Sequence, residues 1–443
     1  MKKIFLLILS FLLFSFGAEA KNIQKSIDSV IKESNISKNS IAISIKDLKN
    51  GKSLYALNDR ILMHPASVQK MLTIIPVAEA LGKDYNFSTE LYARGKSDYV
   101  LKLGADPYLT TSDLKTLVSK INPETAKKIY IDDSVIEPKD WGEGWQWDDD
   151  LNVLMPKFNS YNLDGNIVKF TIRPTAKSQP AQIIKNGKSN IVFINHVITG
   201  DKNDVKISRS NTASNIIILD GTAKTTLAEI IPNSNLKSYF NIKLKNSLED
   251  GKIYLKEAYG KSVVQPNDKK LTSVTHPIDK AIDDILLNSN NMVTETLSKL
   301  AGGKYYNKQG TDLDGIKLFE DYCKKAGLDT TRIRIVDASG VSKNNLVNAD
   351  FITEFLVKNQ NNEILKRMGT PGVGTLSDRL LPLKDNLRAK TGTLSDISGI
   401  SGFLTTKSGK EYAFSIMIND PSTSSSDKKV LEDYLLRNIY LKF

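Results

Sequence analysis

Between residues 86 and 275 the sequence breaks into short strand-like runs set apart by Asn, Gly, Asp and Lys, while helical and strand patterns mix on either side. The runs are FSTELYARG, YVLKLGAD, KKIYIDDSV, NIVKFTIRP, NIVFINHVI, NIIILDG and SYFNIKLK, interrupted by one helical stretch, SDLKTLVSKI. Period-2 runs bounded by turn residues read as strands, and apolar spacing of three and four reads as helix. A chain whose two ends share α/β character and whose middle does not is most simply a domain split by an inserted, β-rich one. The expected division is 21–85 and 276–443 for the split domain and 86–275 for the insert, with room in the insert for two subdomains.

The flanking parts carry their own signals. NIQKSIDSVIKESNI spaces its apolar residues as a helix does, and SIAISIKDL and KSLYALN read as a hairpin around Asn50-Gly51. HPASVQKMLT follows, then the mostly apolar helix LTIIPVAEAL, with Pro65 suited to its first turn. After the insert come the helical patterns IDKAIDDILLNSNNMVTETLSKL and DGIKLFEDYCKKAGL. Three strands, NLRAKTGTL, SGISGFLTT and EYAFSIMIN, and a closing helix over 425–441 end the chain.

MKKIFLLILSFLLFSFGAEA has the basic start, apolar run and Ala-x-Ala site of a cleaved secretory signal, 1–20, and its apolar run is too short to span a bilayer. An exported, periplasmic protein with no stable membrane span is expected. The single cysteine, Cys323, rules out an internal disulfide, so stability has to come from large cores. The net charge of +11 comes from scattered lysines, with no basic run interleaved with aromatics, which argues against nucleic acid as a partner. His64, His196 and His276 lie far apart and form no ligand pattern, which argues against zinc. No G-x-S-x-G elbow is present, so a nucleophilic serine needs a base other than that motif supplies.

Three short motifs carry chemistry when taken together. Ser67 and Lys70 form a Ser-x-x-Lys pair at a helix start; Ser289 and Asn291 form Ser-x-Asn between two helical patterns; Lys390-Thr391-Gly392-Thr393 contains the one KTG and lies on a late strand. Singly each is weak. Ser-x-x-Lys also occurs at Ser29/Lys32, Ser112/Lys115 and Ser234/Lys237, and Ser289 on its own reads more readily as a helix cap than as a catalytic residue. Their order is that of penicillin-recognising serine enzymes. Residues i and i+3 share a helix face, so Lys70 can reach the Ser67 hydroxyl. A lysine acts as base only when burial or a second cation lowers its pKa, and Lys390 supplies that cation. Backbone N–H groups of Ser67 and Thr393 are candidates for an oxyanion hole.

At this point the sequence resembles the low-molecular-mass penicillin-binding proteins of the D-alanyl-D-alanine carboxypeptidase/endopeptidase type, the S13 peptidase family. Pro65-Ala66-Ser67-Val68 with Lys70 is similar to the family's P-A-S-V-x-K, and Gly104-Ala105-Asp106-Pro107 to its G-x-D-P turn. Gly144-Trp145-Gln146-Trp147-Asp148-Asp149 is similar to G-W-x-W-[DN]-D, and Asp337-Ala338-Ser339-Gly340-Val341-Ser342 to D-G-S-G-L-S. The resemblance covers essentially the whole mature chain. It implies a serine β-lactamase/penicillin-binding transpeptidase-like α/β (α+β) catalytic domain, an antiparallel sheet flanked by helices.

It also implies that Ser67 forms an acyl-enzyme with the carbonyl between two D-alanines of a peptidoglycan stem peptide. Lys70 takes the serine proton, Ser289 and Lys390 return one to the leaving amine, and Asn291 holds the acyl-side amide. Lys390, Thr391, Gly392 and Thr393 form the carboxylate-binding strand. β-Lactam antibiotics acylate the same serine, and no metal or organic cofactor is required.

Trp145, Trp147, Asp148 and Asp149 are the insert residues expected either at the cleft or, for the tryptophans, as packing anchors. Ala338 stands where the family has glycine. Lys343 stands where arginine is common, near the substrate's peptide branch, and lacks arginine's bidentate fork. The alternatives are a β-lactamase, for which no deacylating glutamate is assignable, and a non-catalytic peptidoglycan-binding scaffold, against which the intact motifs argue.

Overall fold

The computed structural model describes residues 24–442, so the expected signal sequence lies outside the described residues. The chain divides into two compact units. The first comprises the chain up to Ala78, Ile282–Ser289 and everything from Ile316; the second comprises Glu79–Ala281 with Asn290–Gly315. These limits differ from the expected 85 and 275, and they pass 290–315 to the inserted unit.

In the first unit, residues 24–33 form helix α1, which ends where Asn35 takes a left-handed φ of 58°. Strands β1 (Ile41–Asp47) and β2 (Ser53–Leu57) form the expected hairpin. They join β14 (Leu387–Thr393), β15 (Ile397–Thr405) and β16 (Glu411–Asn419) in one sheet of order β14-β15-β16-β1-β2, antiparallel throughout. The first and last strands of the chain therefore lie side by side, with Ile43 opposite Ile416.

β15 and β16 are buried along nearly their whole length, because helices cover both faces. Ile27 and Ile31 of α1 share a core with Leu431, Leu435 and Ile439 of α9 (Ser425–Lys442) and with Ile43, Ile400 and Ile416 of the sheet. Helix α8 (Ala349–Lys358) packs against β1 and β16, and buried hydroxyls pair with one another: Ser44 of β1 with Thr353 of α8 at 2.7 Å, and Ser401 of β15 with Ser415 of β16 at 2.9 Å. Cys323 is buried, and desolvation, with Glu320 nearby, pushes its thiol up to about 12, so it packs rather than reacts.

The second unit holds three sheets. One has the order β12 (Gly260–Lys261), β5 (Lys128–Asp132), β4 (Asp98–Lys102), β3 (Asn86–Arg94), β13 (Lys269–Pro277). The others are β11 (Leu227–Pro232), β6 (Ile167–Arg173), β7 (Gln182–Lys185), and β8 (Val192–Thr199), β10 (Ile216–Ala223), β9 (Asp204–Arg209). Two helices, α3 (Thr111–Val118) and α4 (Leu236–Asp250), pack together, and Leu114, Leu117, Phe240 and Leu244 enter one core with Leu101, Ile129 and Phe170. The run SYFNIKLK is thus helix rather than strand. Read over a longer window, Leu236, Tyr239, Phe240, Leu244 and Leu248 repeat at three and four residues and are all buried, and Asn235 caps the helix by accepting from Ser238 N at 2.9 Å.

Helix α6 (Asn291–Tyr306) belongs to this unit because its side chains are spent there. Asn162 Nδ2 donates to Thr296 Oγ1 at 3.4 Å, and the Lys299 ammonium is 3.2 Å from Glu137 and 3.0 Å from Asp312. Among the described residues no helix is long and apolar enough to cross a membrane.

Candidate active site

Ser67 sits in a single 3₁₀ turn, Ala66–Gln69, that runs into helix α2 (Lys70–Leu81). Side chains three apart eclipse one another in a 3₁₀ turn. The Lys70 ammonium accordingly donates to Ser67 Oγ at 2.8 Å, and also to the Ser339 carbonyl at 2.8 Å. Ala66, just before the serine, has φ 46°, a conformation costly for a residue with a Cβ.

Lys390 reaches the same unit's Ser289 from the middle of β14, donating to Ser289 Oγ and to the Thr391 carbonyl, both at 2.9 Å. Ser289 follows helix α5 (Ile278–Leu287) and is itself left-handed, φ 61°. Both lysines are fully buried. Burial first, and the Lys70 charge second, hold the Lys390 ammonium well below the usual lysine pKa. The arrangement is two serine hydroxyls, each hydrogen-bonded to a buried amine, with repulsion between the amines making a proton easy to lose.

The sequence around these groups is fixed by close approach. A Cβ on Gly392 would stand 2.9 Å from Pro65 O, Ser67 N and Val68 N, so only glycine lets β14 pass the serine's turn. On the other side, Gly340 has φ 81°, and a Cβ there would overlap the Ala66 carbonyl. Its loop is organised by the buried Asp337 carboxylate. Oδ1 accepts from Gly340 N at 2.7 Å and Asn345 Nδ2 at 2.8 Å, and Oδ2 from Ser342 N at 2.7 Å. Thr73 Oγ1 donates to Ala338 O at 2.8 Å, so the carbonyl-bearing side of this loop faces α2 and presents Ser339 O to Lys70. Ala338 is absent from the positive-φ positions, so alanine fits where the family has glycine.

The substrate-side residues are distributed as follows. Thr391 Oγ1 donates to Thr375 Oγ1 at 2.7 Å, and Thr393 ends β14 opposite Ser398. Lys343 lies 3.5 Å from Asp396, in the turn that joins β14 to β15. The other three belong to the second unit. Asn291 opens α6, its Nδ2 donating to Leu154 O at 2.8 Å, while its neighbour Asn290 caps the helix by accepting from Val293 N at 3.1 Å. The two tryptophans of the G-W-x-W motif part company: Trp145 is buried against Trp141 and Phe158, whereas Trp147 is 71% exposed on the short turn Trp147–Asp149.

Sequence reasoning missed Asp337, Ser339 and Thr375 as parts of the site. The D-x-S-G loop was the available signal, but nothing in it said that a carbonyl would face the lysine. Of the histidines, His64 bonds to Asn345 O through Nδ1 at 3.0 Å, and His276 to Asp106 at 2.6 Å in the second unit.

Residues 23–437 match the D-Ala-D-Ala carboxypeptidase 3 (S13) family. Among characterised relatives, the D-alanyl-D-alanine carboxypeptidase DacB of Haemophilus influenzae is 24% identical over 444 residues, covering 89% of each chain. The D-alanyl-D-alanine carboxypeptidase of Actinomadura sp. (strain R39) is 23% identical, covering 92% of this chain and 82% of that one. In fold, the crystal structure of penicillin binding protein 4 (dacB) from Haemophilus influenzae superposes with a TM-score of 0.83 at 22% identity, over 94% of this chain and 98% of that one.

Proposed function

The chain belongs to the D-Ala-D-Ala carboxypeptidase 3 (S13) family of serine-type DD-peptidases, and from that premise we propose that Ser67 carries its acyl-enzyme. The observation that carries this reading is the Lys70 Nζ–Ser67 Oγ hydrogen bond of 2.8 Å, made by a fully buried lysine. Ser67 Oγ attacks the carbonyl between two D-alanines as its proton passes to Lys70. The Ser289 hydroxyl, backed by Lys390, hands a proton to the departing D-alanine amine, and water then hydrolyses the ester. Ser67 N and Thr393 N are assigned to the oxyanion, Thr391, Gly392 and Thr393 to the terminal carboxylate, and Asn291 to the acyl-side amide. Lys343, Trp147 and Asp149 are assigned to the rest of the stem peptide.

The substrate is peptidoglycan and the site of action the periplasm, reached through the sequence's secretory start. β-Lactams acylate the same serine, a reading supported by the β-lactam complex of the Haemophilus influenzae penicillin binding protein 4. Family membership and the intact Ser67, Lys70, Ser289 and Lys390 set favour this over the β-lactamase and scaffold readings. Digestion of purified muropeptides, with products identified by mass spectrometry, tests it. Pentapeptides should lose D-alanine and Ser67→Ala should abolish that loss; turnover retained by Ser67→Ala would overturn the assignment. Loss of cross-linked dimers in the same digest reports endopeptidase action.

A further inference from the structure

Residues 139–158 leave the core of the second unit as a loop whose base is closed and whose tip is exposed. At the base, the Lys157 ammonium donates to both Asp140 carboxylate oxygens at 3.1 Å, and Phe158 N donates to Asp140 O at 3.1 Å. Helix α6 grips the loop twice. Lys299 Nζ donates to Lys139 O at 2.9 Å where the loop begins. About two turns nearer the helix start, Asn291 Nδ2 donates to Leu154 O at 2.8 Å near the tip, where the Leu154 side chain is 69% exposed.

The chemistry of that second contact fixes an orientation. A peptide carbonyl only accepts, so the edge of the Asn291 carboxamide that meets Leu154 has to be its NH₂ edge. With an Nδ2 hydrogen directed at Leu154, the flipped carboxamide, which would set Oδ1 against that carbonyl, is excluded. We propose that the 139–158 loop is a positioning element for Asn291: the Leu154 carbonyl orients the Asn291 carboxamide toward the acyl-side amide of the substrate, and the Asp140–Lys157 pair holds that carbonyl in place. Asp140 and Lys157 are positioning residues and touch no substrate. The inference rests on the assignment of Asn291 made above.

The test uses two β-lactams that share a ring system. Benzylpenicillin carries an acylamido group beside the β-lactam ring; 6-aminopenicillanic acid has a free amine there and offers no amide carbonyl to Asn291. Acylation rate constants are measured for both on the full-length mature protein, and their ratio is the readout. Asn291→Ala should collapse the ratio. Lys157→Met should lower it about tenfold by slowing benzylpenicillin alone, less than the ~10²-fold that a 1 Å misplacement can cost, and the exchanged pair Asp140→Lys with Lys157→Asp should restore it. A glycine inserted after Val153, in the exposed tip, displaces the Leu154 carbonyl without touching the base, and should lower the ratio even if Lys157→Met does not fold. A ratio that collapses in Asn291→Ala but stays at the wild-type value in the folded loop variants overturns the inference and leaves the Asn291 assignment standing. A wild-type ratio in Asn291→Ala overturns both.

Discussion

Each unit contains a fully buried lysine with an assigned task, Lys390 in the first and Lys299 in the second, and their surroundings are opposite in charge. Lys299 meets two carboxylates, Glu137 and Asp312, and a carbonyl, and lies over the Phe158 ring with its Nζ 4.9 Å from the centroid. Lys390 meets a serine hydroxyl, a carbonyl and the field of another lysine. A buried cation that is neutralised holds its neighbours in place, and removing it strands their charge. A buried cation set beside another cation destabilises the fold and gives up its proton readily, which suits proton transfer and little else. The same residue type is thus a neutralised anchor in one unit and, in the mechanism proposed above, a proton carrier in the other.

Substituting both lysines should separate the two cases. Lys390→Met should slow acylation by benzylpenicillin about 10²- to 10⁴-fold, the range for loss of general acid–base assistance, while the melting temperature holds or rises; stopped-flow labelling and thermal melts read the two effects. Lys299→Met should do the reverse in stability, costing about 3 kcal/mol, the lower end for a broken buried pair, because Glu137 loses its ammonium while Asp312 keeps Lys139 at 3.0 Å, read as a lowered urea midpoint. If both variants shifted stability in the same direction, the distinction would fail.

Gly392→Ala tests the crowding at the catalytic strand. Its Cβ would press on the backbone of the Ser67 turn, and acylation should fall about 10²-fold, as expected for misplacement of a reacting group. A pH series sharpens the electrostatic side. Lys390 has a folded pKa well below the unfolded value of 10.5. Between the two values the unfolded chain holds a proton that the folded chain lacks, so stability rises with pH across that window, by at most about 1.4 kcal/mol per unit. Outside the window this contribution is flat. Acylation, which needs one unprotonated amine in the pair, should climb as pH passes the folded pKa at the lower edge of that window and stay level within it, and Lys390→Met should remove the stability slope. The smallest effect is expected at the rim: Lys343→Arg adds a fork facing Asp396 and should change KM for muropeptides only a few-fold, in line with the modest worth of exposed ion pairs.

The sequence made the antiparallel sheet of the first unit and the Ser67–Lys70 pair legible because both rest on local patterns. Runs such as EYAFSIMIN are long enough to read as buried strand, and Ser67, Lys70, Ser289 and Lys390 stand in motifs whose order carries the information. Local pattern failed where period and burial diverge. SYFNIKLK alternates over a few residues as well as any strand, and only its extension to Leu236 and Leu248 reveals the helix. Helix α8 went unread, although Asn348 caps it and Phe351, Ile352 and Phe355 follow at helical spacing. Lys299 was beyond reach: a lysine on an amphipathic pattern reads as solvated, and its acids come from residues 137 and 312. The same holds for Leu154, whose contribution is a carbonyl that every residue possesses.

The central claim, that Ser67 is acylated with Lys70 as its base, is tested most directly by mass spectrometry of the intact protein after incubation with benzylpenicillin, followed by peptide mapping. A single adduct of one penicillin per chain is expected, located on Ser67 and missing from both Ser67→Ala and Lys70→Met. No adduct on the wild-type protein, or an adduct on any other residue, would contradict it.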